Sequence, residues 1–369
     1  MQGGASVSAT AADTIIFSEI NGPAFETKKN GSKWTTPRQV TPGGSKPYRF
    51  ADFTAHPQHS HLVVAVLEDH TKPEPANVVN RLVCIDTKTT ELLDVVSGAD
   101  FYSSGRFSPD GKYICWVEWW HDDMPWNGSV LYVAEVDASA PGKGSLLVKG
   151  TTQKLAGASQ GVESVSQPRW DKSGNKLVFL SDRSGFYELY KWSPQSGKVE
   201  HVLKEQTGKD AGGPDWLLGQ QTHAPLGDGQ WVATAGDGKL RVIDLAAGTS
   251  RLISTPFGSC GTVRPLSKDS VLVSASPTTA PSVVAQVSLV SAMDEVAATK
   301  ILKSAFESSI DAEDISTAEP IAFPTTPGPD GKASEAYARF YKPKNSKYAA
   351  PEGEKPPLIV RCHGTSILS

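Results

Sequence analysis

The chain has 369 residues, 38% of them hydrophobic and 21% charged, with a formal net charge of −4 from 36 basic and 40 acidic side chains. A chain of that length buries roughly three quarters of its surface and needs no staples, so composition points to a soluble globular protein. The mild charge carries no basic block and no apolar stretch approaches ~18 residues, so neither nucleic acid nor a membrane is an expected partner.

The first twenty residues, MQGGASVSATAADTIIFSEI, lack a charged leader region and a long apolar run, so they do not read as a signal peptide. The four cysteines, Cys84, Cys115, Cys260 and Cys362, are widely spaced and form no CxxC pair. They indicate neither a zinc site nor a disulfide framework, and no metal or cofactor is expected. A reducing, cytoplasmic setting fits them best.

Up to about residue 290 the sequence shows almost no helical period. Short strand-like runs alternate with Gly-, Pro-, Asp- and Ser-rich turns. HLVVAVLED (61–69) and NRLVCIDTKTTELLDVV (80–96) come first, then YICWVEWW (113–120) and SVLYVAEVD (129–137). KLVFLSD (176–182) and YELYKWSPQSGKVEHVL (187–203) make a third group. QWVATAGDGKLRVIDLAAGTSRLIS (230–254) and the runs at 269–276 and 282–290 continue it.

A theme repeats. Phe53-Thr-Ala-His-Pro57, Phe107-Ser-Pro-Asp-Gly111 and Trp170-Asp-Lys-Ser-Gly174 are read as equivalent aromatic-led turns. The period is roughly 55 to 65 residues with four short strands each, which is a β-propeller blade. YICWVEWW is apolar on both alternating faces, as a strand covered by neighbours on both sides should be. An ordinary β-sandwich is the competing arrangement, and the repeat argues against it. The expected fold is all-β, a β-propeller of about six to seven blades over residues 1–290.

Residues 291–317 change to an Ala-, Lys- and Glu-containing composition with room for a short helix, and are read as a linker. Residues 318–369 hold strand-like runs at 320–323, 334–342 and 358–362 between Pro-rich loops, like the opening strands of a second domain.

Several motifs invite chemistry. Gly157-Ala158-Ser159-Gln160-Gly161 has the G-x-S-x-G text of a nucleophile elbow. That chemistry needs a buried strand before the Ser and a helix after it, and the flanks here supply neither, so a Gly/Ser loop between blades is expected. His121, Asp122 and Asp123 adjoin in HDDMPWNG, where a hairpin loop turning at Asn127-Gly128 is preferred to a metal site. His56, His59 and His61 crowd one segment, with His59 and His61 on one face if it is a strand. No third ligand is placed by sequence, so surface histidines are expected. Arg183 at the 181–192 hairpin either faces a substrate chamber or pairs with Asp182.

Three segments decide a family resemblance: GADFYSSGRFSPDGKYICWVEWWHDDMPWNGSVLYVAEV (98–136), SQPRWDKSGNKLVFLSDRSGFYELYKW (166–192) and GEKPPLIVRCHG (353–364). Together the chain resembles, from about residue 3 to Gly364, the prolyl oligopeptidase family of serine peptidases, in its acylaminoacyl-peptidase or dipeptidyl-peptidase branch. The resemblance implies a propeller, usually of seven blades, that filters short peptides by size before an α/β-hydrolase domain. It implies hydrolysis of short peptides from the N-terminus and a first blade that is incomplete, since Gly3-Gly4-Ala5 is similar to a stretch inside it. It makes 318–369 the N-terminal fragment of a truncated α/β-hydrolase domain.

His363 and Gly364 match the start of the family's His-Gly-Gly-Pro oxyanion loop, after which Thr365 to Ser369 depart from the pattern. The Ser-Asp-His triad has no counterpart, so no catalytic residue is expected and this chain alone is expected to be inactive. Peptide substrates, and a homo-oligomer or capping of a paralogue, are the partners the family implies. The alternative function is a stand-alone propeller that binds a protein or peptide.

Overall fold

Each short apolar run pairs with its neighbours in sequence, because tight turns rich in Gly, Asp and Ser bring consecutive strands together antiparallel. The structure is a computed structural model that describes residues 5–19, 22–43, 47–139, 146–236, 238–290, 295–328 and 331–361. In the first sheet β1 (Val7–Ala11), β2 (Thr14–Ser18) and β3 (Ala24–Asn30) pair in order, and the two-residue β4 (Lys33–Trp34) and β5 (Arg38–Gln39) pair on β3. The second sheet is β6 (Tyr48–Ala55), β7 (Leu62–Asp69), β8 (Val79–Asp86) and β9 (Leu92–Val96). The third is β10 (Phe101–Phe107), β11 (Tyr113–Trp119), β12 (Ser129–Glu135) and β13 (Gln153–Ala158). The fourth is β14 (Val165–Trp170), β15 (Leu177–Ser181), β16 (Glu188–Trp192) and β17 (Val199–His201). The fifth is β18 (His223–Gly227), β19 (Gln230–Thr234), β20 (Leu240–Asp244) and β21 (Thr249–Ile253). The sixth is β22 (Ser259–Ser267), β23 (Ser270–Ser276), β24 (Val283–Ser288) and β25 (Thr299–Ser304). This is a six-bladed β-propeller arrangement.

Apolar layers join the blades. Leu62, Val64 and Leu82 of the second sheet meet Tyr102, Ile114 and Trp116 of the third. The opposite face of that third sheet, with Cys115, Val117 and Leu131, meets Trp170, Phe179 and Trp192 of the fourth. Comparable layers join the first sheet to the second, the fourth to the fifth and the fifth to the sixth. Trp116, Phe179 and Trp231 are fully buried in these layers, so truncating any one to Ala costs about 3–5 kcal/mol.

The antiparallel meander fixes two faces. Loops between second and third strands, and the crossings from blade to blade, fall at one end, here termed the crossing face. First-to-second and third-to-fourth turns fall at the other, the turn face. The chain leaves β25 at the crossing face.

Two expectations are corrected. β25 completes the sixth sheet from within the segment read as a 291–317 linker, pairing Ile301 with Ala285. Its Thr-Lys-Ile-Leu-Lys-Ser is an outer-edge strand exposed at every residue and so lacks the apolar alternation that marks the others. Beyond it β26 (Ala318–Pro324) and β27 (Glu335–Tyr341) form an isolated hairpin, close to two of the expected runs. The third run does not form a strand over 358–361: Leu358, Ile359 and Val360 are 75%, 89% and 76% exposed, with no ladder to join. Gly3, Gly4, His363, Gly364 and Thr365 to Ser369 lie outside the described residues.

Candidate functional site

The first strands of the sheets, β1, β6, β10, β14, β18 and β22, stand in sequence around a central channel, each against the next. Asp52, Arg106, Arg169, Gln221 and Arg264 line a cavity of about 350 Å³ there, open to solvent.

A bulge in the innermost strand places Asp52, Arg106 and Arg169. The ladder shifts register between Ala51 and Thr54 in β6, between Ser103 and Arg106 in β10, and between Ser166 and Arg169 in β14. A bulge leaves residues unpaired and re-aims the side chains next to it. Asp52, Ser104 and Gln167 open the three bulges with φ of 58°, 58° and 52°. These left-handed conformations cost strain that the surroundings must offset. Hydrogen bonds between blades do so. The buried Asp52 carboxylate accepts from the Ser104 N–H at 2.6 Å and pairs with the Arg106 guanidinium. Its own N–H donates to the Ala5 carbonyl at 2.9 Å. The Gln167 side-chain oxygen accepts from the Thr222 N–H at 2.7 Å, and its amide donates to Asp215 at 3.1 Å.

The channel is positive. Burial, then the charges of Arg106 and Arg264, bring the Arg169 pKa down to about 9. Burial and the Arg106 charge also lower the pKa of Arg264. Both guanidiniums are ringed by protein yet retain wet surface, as concave sites allow. Burial pushes Asp215 up to about 7, against the Gln167 hydrogen bond and Arg169.

The sequence motifs lie elsewhere. Ser159 sits on a turn after the outermost strand β13 and before β14, with no helix beyond it. The turn is shaped by Gly157, whose φ of +90° and position against the Ser129 carbonyl leave no room for a Cβ. Its Gln160 and Gly161 N–H groups donate to Asp123 at 2.7 and 3.1 Å. Thus Asp123 ties the HDDMPWNG loop to the G-x-S-x-G loop. His121 packs edge-on against Phe101, and Asn127 and Gly128 donate to the Met124 carbonyl to close the turn. Trp126 lies against Trp216, ring centroids 4.3 Å apart. Arg183 takes neither offered role: it pairs with Glu163 at 2.7 Å and covers the Tyr190 ring, while Asp182 accepts from the Ser164 N–H at 2.8 Å.

All of these sit on the crossing face. His56, His59 and His61 sit on the turn face, in a turn rather than a strand. His56 is buried there, accepting from the Gln58 and His59 N–H groups at 3.2 and 3.1 Å. No group of three metal-ligating side chains occurs among the described residues.

The channel arginines went unread in the sequence. Their signal was present: Arg106-Phe107 and Arg169-Trp170 each place Arg just before the aromatic that closes an innermost strand.

No protein-family model matches the chain, and no curated protein does. Among solved structures, a Mycobacterium tuberculosis puromycin-hydrolyzing peptidase is 25% identical with a TM-score of 0.78, covering 96% of this chain and 53% of that one. A puromycin hydrolase is 23% identical with a TM-score of 0.77, covering 95% of this chain and 52% of that one. Prolyl oligopeptidase B from Galerina marginata, bound to a 35mer hydrolysis and macrocyclization substrate, shares the fold at 10% identity, with a TM-score of 0.56 over 90% of this chain and 45% of that one. The chain spans about half the length of these structures. The matched part is a propeller portion, so the resemblance to prolyl oligopeptidase family peptidases read from the sequence holds at the level of structure.

Proposed function

We propose that this chain is the propeller of a serine peptidase of the prolyl oligopeptidase family and that it gates short peptides toward a hydrolase domain. One observation carries the reading: nearly the whole chain superposes on half of a puromycin-hydrolyzing peptidase at 25% identity. The crossing face supports it. The chain leaves the propeller there, and Met124, Val162, Phe186, Trp216 and Leu217 are each more than 40% exposed on its loops. An apolar set of that kind suits a covering body, and a hydrolase domain would be one. A stand-alone binding propeller would present the same surface, which keeps that second reading in play.

In this reading the chain contributes no nucleophile. Acyl transfer needs a Ser activated by a base that is itself oriented, and Ser159 has no such partners among the described residues. Cys84 and Cys115 are free thiols buried in different blades, each pushed up to about 12 by burial, so neither offers a thiolate nucleophile.

A fluorophosphonate probe tests the assignment. The 369-residue chain is expected to stay unlabelled, with Ser159→Ala changing nothing. A longer product read through past Gly364 is expected to label and to hydrolyse short peptides. Stoichiometric labelling of this chain that Ser159→Ala abolishes would overturn the proposal. So would a transcript with no further reading frame, which favours the binding module.

A further inference from the structure

The charges in the channel do not balance. Asp52 engages Arg106. Arg169 donates only to neutral oxygens: the Gln221 side chain at 3.4 Å and the Pro168 and Gln220 carbonyls at 2.8 and 3.1 Å. Arg264 donates only to the Val263 carbonyl at 3.5 Å. Among the described residues neither forms an ion pair with a carboxylate. Three guanidiniums from three different blades therefore converge on one cavity that has a single engaged carboxylate in its lining.

Holding like charges together in a concave, partly desolvated space is unfavourable unless something negative completes them. Low-dielectric walls of one sign also focus the field and concentrate counter-ions. The guanidinium fork is planar and presents paired N–H donors, which match a carboxylate in a bidentate way. The neutral contacts of Arg169 hold its stem and part of its fork in place before any ligand arrives, so little ordering remains to be done on binding.

We propose that Arg106, Arg169 and Arg264 form a carboxylate-binding site in the propeller channel, which takes the terminal or side-chain carboxylate of a short peptide. That the site takes a carboxylate stands on the channel alone. That the carboxylate belongs to a peptide rests on the proposed peptidase role. Such a site favours peptides carrying a free acid over blocked ones, and so adds a charge filter to the size filter.

Titration calorimetry of the full chain with triglycine and with triglycine amide reads the site directly. The free acid is expected to bind at least about tenfold more tightly than the amide. Its affinity should fall as sodium chloride is raised. Arg264→Gln is expected to weaken it at least about tenfold. Arg264 is exposed to the channel and outside every apolar layer, so this variant should fold. Arg169→Gln is the second variant, with circular dichroism reporting its fold. Equal binding of acid and amide, or free-acid binding unchanged in both variants, overturns the site. Acetate or inorganic phosphate binding as tightly as triglycine, with the same loss in the variants, overturns the peptide as its source. Acid-over-amide preference in a chain with no downstream hydrolase leaves the site standing while the peptidase reading falls, so the two failures are distinct.

Discussion

His223 starts β18 with no exposed surface, stacked against Trp231. Burial and the Arg169 charge bring its pKa down to about 3. The folded protein therefore keeps this imidazole neutral where the unfolded chain takes up a proton, from pH about 6.5 downward. Its contribution is fully present above about 6.5 and is lost as pH falls toward 3, at up to about 1.4 kcal/mol per pH unit. Asp215 works oppositely. Its raised pKa means that the folded state binds the extra proton, so its contribution is lost as pH rises from about 4 to 7. Part of Asp215 is wet, so its slope is the smaller of the two. Urea midpoints between pH about 4 and 7 should separate them. His223→Gln is expected to flatten the acid-side loss, and Asp215→Asn to raise stability near neutrality relative to the unsubstituted chain. An acid-side slope unchanged in His223→Gln would show that this imidazole is not the group being charged.

At the scale of the element, the bulged innermost strands hold blade to blade. Asp52 satisfies the Ser104 N–H and the Arg106 guanidinium of the next blade together. Asp52→Ala leaves the Ser104 N–H without this acceptor and the Arg106 guanidinium without its carboxylate, held only by the Thr54 hydroxyl and the Gly105 carbonyl, and is expected to cost about 3 kcal/mol. Asp52→Asn keeps an acceptor for Ser104 and should cost distinctly less. Guanidinium denaturation midpoints give the order, and equal losses would assign the whole effect to charge. The strands of the blades were legible in part. YICWVEWW announced burial on both faces, and β11 is buried on both. Phe107 and Trp170 are true equivalents, pairing with Ile114 and Leu177 ahead of like turns. Phe53 is not. It lies inside the β6 bulge, and Ala55, paired with Val63, takes the equivalent place. A bulge breaks the two-residue period that sequence reading depends on, so the residues it re-aims, the channel arginines among them, left no periodic trace. β25 was lost for a related reason, since an exposed outer strand has nothing to alternate.

Across the whole molecule, six sheets share five apolar layers, and no such layer joins the sixth sheet to the first among the described residues. The sequence carries the reason. In β23 and β24 the apolar residues Val271, Val273, Ala275, Val283, Ala285 and Val287 fall on one face, while Ser274 and Val284 on the other are exposed. A sheet that alternates in this way is packed on one side only. Stability therefore resides in the five layers. The segment beyond β25 adds none: Ile321, Phe323, Tyr337 and Tyr341 of its hairpin are 44%, 46%, 76% and 56% exposed. Ladder hydrogen bonds alone make a two-stranded hairpin marginal in water. Limited trypsin digestion should therefore cut first at exposed Lys344 or Lys347, before any site within the second to fifth sheets. Mass spectrometry over a time course identifies the order of cuts. The trimmed propeller should melt within about 2 °C of the intact chain, because no apolar layer leaves with the tail. Early cuts inside those sheets, or a large fall in melting temperature after trimming, would mean that the tail packs on the propeller and shares its core.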